Sequence, residues 1–367
     1  MPAYLDYAAT TPVDPAVVAA MAPWTAERFG NPHSPHRWGY AADAAVAVAR
    51  AQVAAVIGVA PDTVAFTAGA TEAVNWALKG VMLAAGPARR RVVTLATEHS
   101  CVLETARWLE TIGCGLTVIG VGRDGLVDRV ALTAAIGPDV ALVSAMLVNN
   151  ETGVIQPVAE IAALAHAAGA LMHCDAAQGF GKVDVSGLGV DLMSISGHKI
   201  YGPKGVGALY RRAGIDLVPL LHGGGQEDGR SGTLSPALCV GLGTAAMIAA
   251  ERMAADADHV AGLSVRLHDG LGAPFIVNGG DAPRWPGIAN LTFDIEATRL
   301  LAAVRGIAVS TGSACASASG QPSHVLAAMG VAAGMRISFG RFTTVAEIDA
   351  AAAALTAAAA RLTRQAA

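Results

Sequence analysis

The run Val190-Asp191-Leu192-Met193-Ser194-Ile195-Ser196-Gly197-His198-Lys199-Ile200-Tyr201-Gly202-Pro203-Lys204-Gly205 reads as a strand that ends in a sharp turn carrying a lysine. Residues 190–195 are apolar except for Asp191 and Ser194, and the run has the length of a strand. Glycines on both sides of Lys199 let the backbone turn tightly and bring the amine into a cleft. Burial disfavours the ammonium form, so an enclosed amine can shed its proton and condense with a carbonyl as a Schiff base. Only four of the 25 Lys and Arg residues are lysines (Lys79, Lys182, Lys199 and Lys204), which favours a need for an amine here over a generic cation. Taken alone, the stretch reads equally well as a surface turn with a solvated lysine. It does not fit a Walker A loop, in which Gly-Lys is followed by Ser or Thr.

Outward from this strand the chain alternates. A strand at residues 64–67 leads through Ala68-Gly69-Ala70-Thr71-Glu72 into a helix that reaches Lys79. Further strands are predicted at 92–97, 116–121, 141–148, 170–175 and 206–210, with helices from about Cys101 and over 158–168. Earlier, residues 1–15 are extended or turn-like, 29–36 form a loop, and a helix over 40–57 ends at Gly58. This rhythm predicts an α/β fold, a mostly parallel sheet with helices on both faces. In such sheets the ligand sits outside the carboxyl ends of the strands. Polar clusters stand at those ends: the 68–72 turn, Glu98-His99, Asn149-Asn150-Glu151, Asp175 with Gln178, and Ser196 to Lys199. Each alone has a dull explanation in capping or turn formation. Five converging at strand ends point to one site.

Past the loop-like residues 211–236, a long helix from Ala237 bridges to a smaller α+β unit. That unit has strands near 287–293, 308–310 and 335–339, a loop over 311–321, a helix from Pro322 and a closing helix from about Val345. Residues 350–360 are nearly all alanine, yet Ile348, Leu355 and Leu362 recur at helical spacing. The expected division is an N-terminal segment, 1–14, packing with the small domain; a large domain, 15–250; and a small C-terminal domain, 251–367.

Apolar residues make up 53% of the 367 and charged residues 15%, which predicts a large core. A net charge of −4 leaves no electrostatic footprint for nucleic acid or an anionic membrane. The Arg89-Arg90-Arg91 cluster is short and reads as a solvated loop. The longest strongly apolar run, residues 237–250, suits a buried helix rather than a membrane span, and the first residues read as structure rather than a signal peptide. Five scattered cysteines without a C-x-x-C pair argue against a disulfide framework or zinc ribbon. Together these features predict a reducing, cytoplasmic setting. A metal site on His173, Cys174 and Asp175 is disfavoured, because adjacent strand residues point to opposite faces.

An amine, a helix start after a small-residue turn and an aspartate at a strand end suit one cofactor. Pyridoxal 5′-phosphate needs the amine for its aldehyde, donors for its phosphate and a carboxylate against its ring nitrogen. Lys199, the 68–72 turn and Asp175 are the candidates, with His99 placed to stack on the ring and Asn150 and Gln178 to hold its hydroxyl oxygen. Cys315, in Ser310-Thr311-Gly312-Ser313-Ala314-Cys315-Ala316-Ser317-Ala318-Ser319-Gly320, lacks any apolar periodicity. It is a poor core residue and a good accessible nucleophile. The other four cysteines read as structural.

These segments, in order along nearly the whole chain, resemble the pyridoxal-phosphate-dependent cysteine desulfurases within the class V aminotransferases. The resemblance is carried by residues 4–12, Gly30-Asn31-Pro32, residues 67–72, Thr97-Glu98-His99, residues 148–153, Ser196-Gly197-His198-Lys199, Arg230-Ser231-Gly232-Thr233 and Gly312-Ser313-Ala314-Cys315. It implies fold type I, conversion of L-cysteine to L-alanine, and a persulfide on Cys315 for delivery to an acceptor protein. It implies that Lys199 carries the cofactor and shuttles the Cα proton. Ala70, Thr71, Ser196 and His198 would hold the phosphate, with Thr233 lent by the second subunit of a homodimer. Asp175 would face the ring nitrogen, Asn150 and Gln178 the ring oxygen. Arg336 would clamp the substrate carboxylate with help from Asn31. The long small-residue loop around Cys315 places the chain nearer the type that hands sulfur directly to a protein partner. Ser100 stands where many relatives carry lysine, and Gly320-Gln321 replace an apolar residue and glutamate, which bears on the acceptor. The rival readings are an aminotransferase or a selenocysteine lyase of the same fold and, more remotely, a non-catalytic sulfur carrier.

Overall fold

The computed structural model describes residues 2–312 and 323–366. A short strand β1 (Ala3–Tyr4) and helices α1 (Pro15–Thr25) and α2 (Arg37–Ile57) come first. There follow β2 (Val64–Thr67), α3 (Ala70–Ala84), β3 (Arg91–Leu95), α4 (Ser100–Thr111), β4 (Gly115–Ile119), α5 (Arg129–Ala135), β5 (Val140–Met146), α6 (Val158–Ala167), β6 (Leu171–Asp175), β7 (Leu192–Ser196) and β8 (Gly207–Arg211). These strands form a seven-stranded sheet in the order β2-β8-β7-β6-β5-β3-β4. Only β8 runs against its neighbours, pairing antiparallel with both β2 and β7. The remaining pairs are parallel, each reached through a helical crossover or a longer connection.

Alternation along the strands explains the two helical layers. Ala208 and Tyr210 join the core built on α1, α2 and α6, whereas Leu209 between them joins the core beneath α3 and α4. Met193 and Leu192 split in the same way. A sheet covered on both faces must be apolar on both, which is why its strands read as nearly continuous hydrophobic runs.

Helix α7 (Pro236–Gly270) runs 35 residues, and its later residues Val260, Leu263 and Leu267 join the same apolar core as Leu242, Ala245 and Ala249 in its first half. By length and composition α2 and α7 could each cross a bilayer, but α7 packs along α1 and α2 in the core. Beyond it come β9 (Phe275–Val277), β10 (Ile288–Phe293), α8 (Ala297–Ala303), β11 (Ile307–Ala308), α9 (His324–Ala328), β12 (Met335–Ser338) and α10 (Val345–Ala366). Strands β12-β10-β9 make an antiparallel sheet, and β1 pairs in parallel with β11. The alanine-rich end is helical: Ile348, Ala351, Ala352, Leu355, Ala358 and Ala359 form its buried stripe.

Several local expectations need correction. Helix α1 starts at an Asp-Pro pair: Asp14 Oδ1 accepts from Ala16 N at 2.9 Å, and Pro15 occupies the first helical position. The strand expected at 116–121 stops at Ile119, since Val121 turns back to bridge Val127. The strand expected at 308–310 is the two-residue β11. The arginine cluster is structural: Arg89 donates to the carbonyls of Val140, Ala168 and Gly169, and Arg91 opens β3.

Candidate active site

A cavity of about 960 Å³ opens at the carboxyl ends of β2, β5, β6 and β7, large enough for a cofactor with its substrate. Of the residues singled out in the sequence, Ala70, Thr71, His99, Asn150, Asp175, Gln178, Ser196, His198, Lys199 and Arg336 all line it. Asn31 and Thr233 do not. Both are exposed, and Asn31 Oδ1 accepts from His33 N at 3.0 Å within its own turn. Cys315 lies outside the described residues.

Strand β7 ends in a single turn of 3-10 helix, Gly197–Lys199, that carries the lysine. Lys199 Nζ donates to the carbonyls of Ala8 at 2.5 Å and Ala9 at 2.8 Å. The N-terminal segment therefore closes over the lysine, anchored by Thr11, whose N and Oγ1 both donate to the His198 carbonyl at 3.0 Å. Thr11 Oγ1 in turn accepts from Tyr201 N at 2.9 Å. Tyr201 sits at φ +65°, a left-handed conformation that costs a non-glycine residue roughly 1–2 kcal/mol. Arg341 helps hold it there, donating its backbone N–H to the Tyr201 hydroxyl at 2.7 Å with the guanidinium 4.4 Å from the ring centre. The strain lies two residues from the lysine and shapes the turn that presents it.

Helix α3 begins at Gly69, which has φ +157° and supplies no side-chain cap, so the first-turn N–H groups face the cavity. Gly207 on β8 lies directly beneath this turn. A Cβ there would come within 2.3 Å of the Ile195 carbonyl oxygen and 2.7 Å of Gly69. Arg230 fixes the turn from the side, donating to Glu72 Oε1 at 2.8 Å while Glu72 Oε2 accepts from Ala68 N at 2.8 Å. An uncapped helix start of this kind holds a phosphate.

Asp175 ends β6, and its Oδ1 accepts from Ala177 N at 2.9 Å. Burial raises its carboxyl pKa, against the lowering effect of the Ala177 donor, His99 and Lys199. A carboxylate so desolvated is best satisfied by a cation delivered into the cavity. Burial likewise holds His99 below the usual imidazole range, although Asp175 pulls the other way. His99 Nδ1 accepts from Cys101 N at 3.1 Å as the cap of α4, which leaves the proton of the neutral ring on Nε2. His198 is neutral too: burial first, then the nearby lysines, lowers it to about 4.

Arg336 lies on β12 and is 1% exposed. It donates from Nη1 to the Asn150 carbonyl at 3.0 Å and from Nη2 to Asp6 Oδ1 at 2.7 Å, while its buried Nε has no acceptor. A cationic fork with a donor unspent, at the edge of a cavity, is suited to a carboxylate.

A family model described as Aminotransferase class-V matches residues 3–351. The cysteine desulfurase IscS of Rickettsia akari is 46% identical over 365 residues, 95% of this chain and 89% of the relative. This chain belongs to the cysteine desulfurase family of class V aminotransferases. Among solved structures, a NifS-like protein superposes on this family member with a TM-score of 0.91 and 36% identity, covering 98% of this chain and 100% of that one. SspA in complex with cysteine superposes with a TM-score of 0.84 and 36% identity, covering 93% and 100%.

The residues present in this cysteine desulfurase family member fit pyridoxal phosphate. The uncapped start of α3 suits the phosphate, the desolvated Asp175 a protonated ring nitrogen, and the Lys199 amine the aldehyde. Other residues escaped the sequence reading. The Ala8 and Ala9 carbonyls and Thr11 position Lys199 through backbone contacts that no side-chain pattern advertises. Thr10-Thr11 belongs to a quoted motif, but a threonine in a turn signals no role by itself. Cys101, read as structural, lines the cavity. Burial pushes its thiol well up, so it remains protonated and unreactive.

Proposed function

We propose that this chain is a pyridoxal-phosphate-dependent cysteine desulfurase. It would convert L-cysteine to L-alanine and leave the sulfur as a persulfide on Cys315 for an acceptor in iron–sulfur cluster or thio-cofactor and tRNA biosynthesis. The observation that carries the proposal is the convergence of Lys199, Asp175, His99 and Arg336 on one cavity at the strand ends. When bound, pyridoxal phosphate supplies an electron sink for the substrate Cα.

The chain's own residues do the rest. Lys199 holds the cofactor and moves the proton at the substrate Cα. Asp175 keeps the ring nitrogen protonated, and the neutral His99 packs on the ring. Asn150 and Gln178 hold the ring oxygen, while Ala70, Thr71, Ser196 and His198 hold the phosphate. Arg336 fixes the carboxylate, which orients the Cα–H bond toward Lys199. The thiolate of Cys315 then attacks the substrate sulfur. A sulfur–sulfur bond forms, the substrate carbon–sulfur bond breaks, and its electron pair passes to the product carbon framework, which is protonated to alanine.

The proposal extends to the chain's organisation. It comprises a segment 1–14, a large domain 15–250 and a small domain 251–367 that carries Cys315. The active form is a cytoplasmic homodimer in which Thr233 reaches the neighbouring site and Asn31 supports the carboxylate clamp. The exposure of Thr233 and Asn31 on a single chain supports this reading. Incubation of purified protein with L-cysteine, following alanine and protein-bound persulfide together, tests the activity. Equimolar alanine and persulfide are expected in a first turnover, and Cys315→Ala should abolish both. Full turnover by Cys315→Ala would indicate transamination instead.

A further inference from the structure

Lys182 takes no part in the site as described, yet it is hydrogen-bonded to it. It follows the end of β6 by seven residues, in the turn that also carries Gln178. Its Nζ donates to Gln178 Oε1 at 2.8 Å, and Gln178 Nε2 donates to the Ala8 carbonyl at 2.7 Å. That same carbonyl accepts from Lys199 Nζ at 2.5 Å. Lys182, Gln178, Ala8 and Lys199 are thus linked in one continuous chain of hydrogen bonds.

The chemistry of the two ends fixes the middle. An ammonium or amine donates to an amide oxygen but offers an amide N–H no acceptor when protonated, and a backbone carbonyl can only accept. The Gln178 amide therefore has one satisfactory orientation, oxygen toward Lys182 and nitrogen toward Ala8 and the cavity. We infer that Lys182 is a positioning residue that locks the Gln178 amide so that only its N–H groups face the ring oxygen of the bound cofactor. This rests on the proposed cofactor and deepens it. Without Lys182 the Ala8 carbonyl would be the one remaining partner to hold the nitrogen in place, and an amide so held would more often present its own oxygen to that ring oxygen, where two acceptors face to face repel. Burial, and next the charge of Lys199, lowers the Lys182 amine to about 7. The bond to Gln178 survives in either protonation state, since a neutral amine still donates. A conventional helix-capping or surface role would leave the amide direction unspecified.

The experiment is a double-mutant cycle on the holoenzyme with Lys182→Met, Gln178→Ala and the pair, read without substrate. The two readouts are the dissociation constant of pyridoxal phosphate and the pH dependence of the absorbance of its bound form. Apoprotein melting serves as the folding control. K182M should weaken cofactor binding about fivefold, the worth of one hydrogen bond, and should shift the pH profile. In the Q178A background K182M should add nothing further, whereas Lys182→Arg, another obligate donor, should stay near wild type. An unchanged affinity and profile in K182M, or a full K182M effect in the Q178A background, would overturn the inference while leaving the cofactor assignment intact. Failure of the wild type to bind pyridoxal phosphate would overturn both. Should K182M not fold, Lys182→Leu takes its place in the cycle, because it too lacks a donor and should show the same loss.

Discussion

Replacing Arg336 with lysine keeps the charge in the cavity but removes the fork. In the structure the guanidinium gives Nη1 to the Asn150 carbonyl and Nη2 to Asp6, and keeps Nε without an acceptor. Arginine has five N–H donors, so enough remain to hold a carboxylate through two parallel bonds. A lysine ammonium has three, and the existing partners Asp6 and Asn150 compete for them. The variant should lose one charge-assisted hydrogen bond to the substrate, roughly 1.5–3 kcal/mol. At 1.36 kcal/mol per decade this lowers kcat/KM for L-cysteine roughly 10- to 150-fold. Folding should suffer less, because the ammonium can still pair with Asp6, and a melting curve of the apoprotein checks this. L-Cysteinamide provides the internal control, since it lacks the carboxylate and should be turned over with an efficiency that R336K alters less than about threefold. Alanine or alaninamide formation under steady-state conditions reads both. Equal fold-losses on acid and amide would refute the clamp and show that the substitution disturbs the cavity as a whole.

Asp175→Asn keeps the shape and the Ala177 N–H bond but removes the charge proposed to hold a proton on the cofactor's ring nitrogen. Turnover of cysteine should fall on the order of 10²-fold while cofactor remains bound, checked by single-turnover alanine formation and by absorbance. His173, enclosed between Ser144 Oγ and Ser194 Oγ at 2.8 Å each, is lowered by burial to about 3. Its folded pKa lies below the unfolded value of about 6.5, so the unfolded chain binds the extra proton, and this contribution to stability is complete above pH ~6.5 and lost as pH falls toward 3. Between pH 7 and 5 the wild type should lose about 2 kcal/mol that His173→Asn does not lose, whatever the variant's stability at pH 7, as measured by urea unfolding at the two pH values.

The βα rhythm was legible because each strand of the central sheet is buried on both faces, so apolar runs marked its strands and glycine or polar turns marked their ends. The same logic exposed the site, since side chains such as Asp175, His99 and Lys199 stand at strand ends where packing does not require them. Short or irregular elements were less legible. Strands β1 and β11 have two residues each and exist only because they pair with one another across about 300 positions of chain. Nothing local in Ala3–Tyr4 specifies that partner. Helix α1 was hidden by Pro12 and Pro15, which read as breakers until Asp14 is seen to cap and Pro15 to start the first turn.

The N-terminal segment shows most clearly why a side-chain reading stops short. Arg336 and Asp6, 330 positions apart, form an ion pair at 2.7 Å, and Ser338 Oγ accepts from Ala8 N at 2.9 Å. Thr11 grips the other side at His198 and Tyr201. The segment is thus fixed at both ends, to the strand that carries Arg336 and to the turn that carries the lysine. Its backbone carbonyls at Ala8 and Ala9 fall between, on Lys199 Nζ. Alanine is suited to these positions because what is used is the peptide oxygen, and a larger side chain would intrude on the cavity that Ala8 and Ala9 line. Arg336 and Lys199 therefore share one mechanical support, and the spacing between the proposed carboxylate clamp and the proposed Cα base is set by the six residues Asp6–Thr11, which turn back on the Asp6 carbonyl through the N–H groups of Ala9 and Thr10.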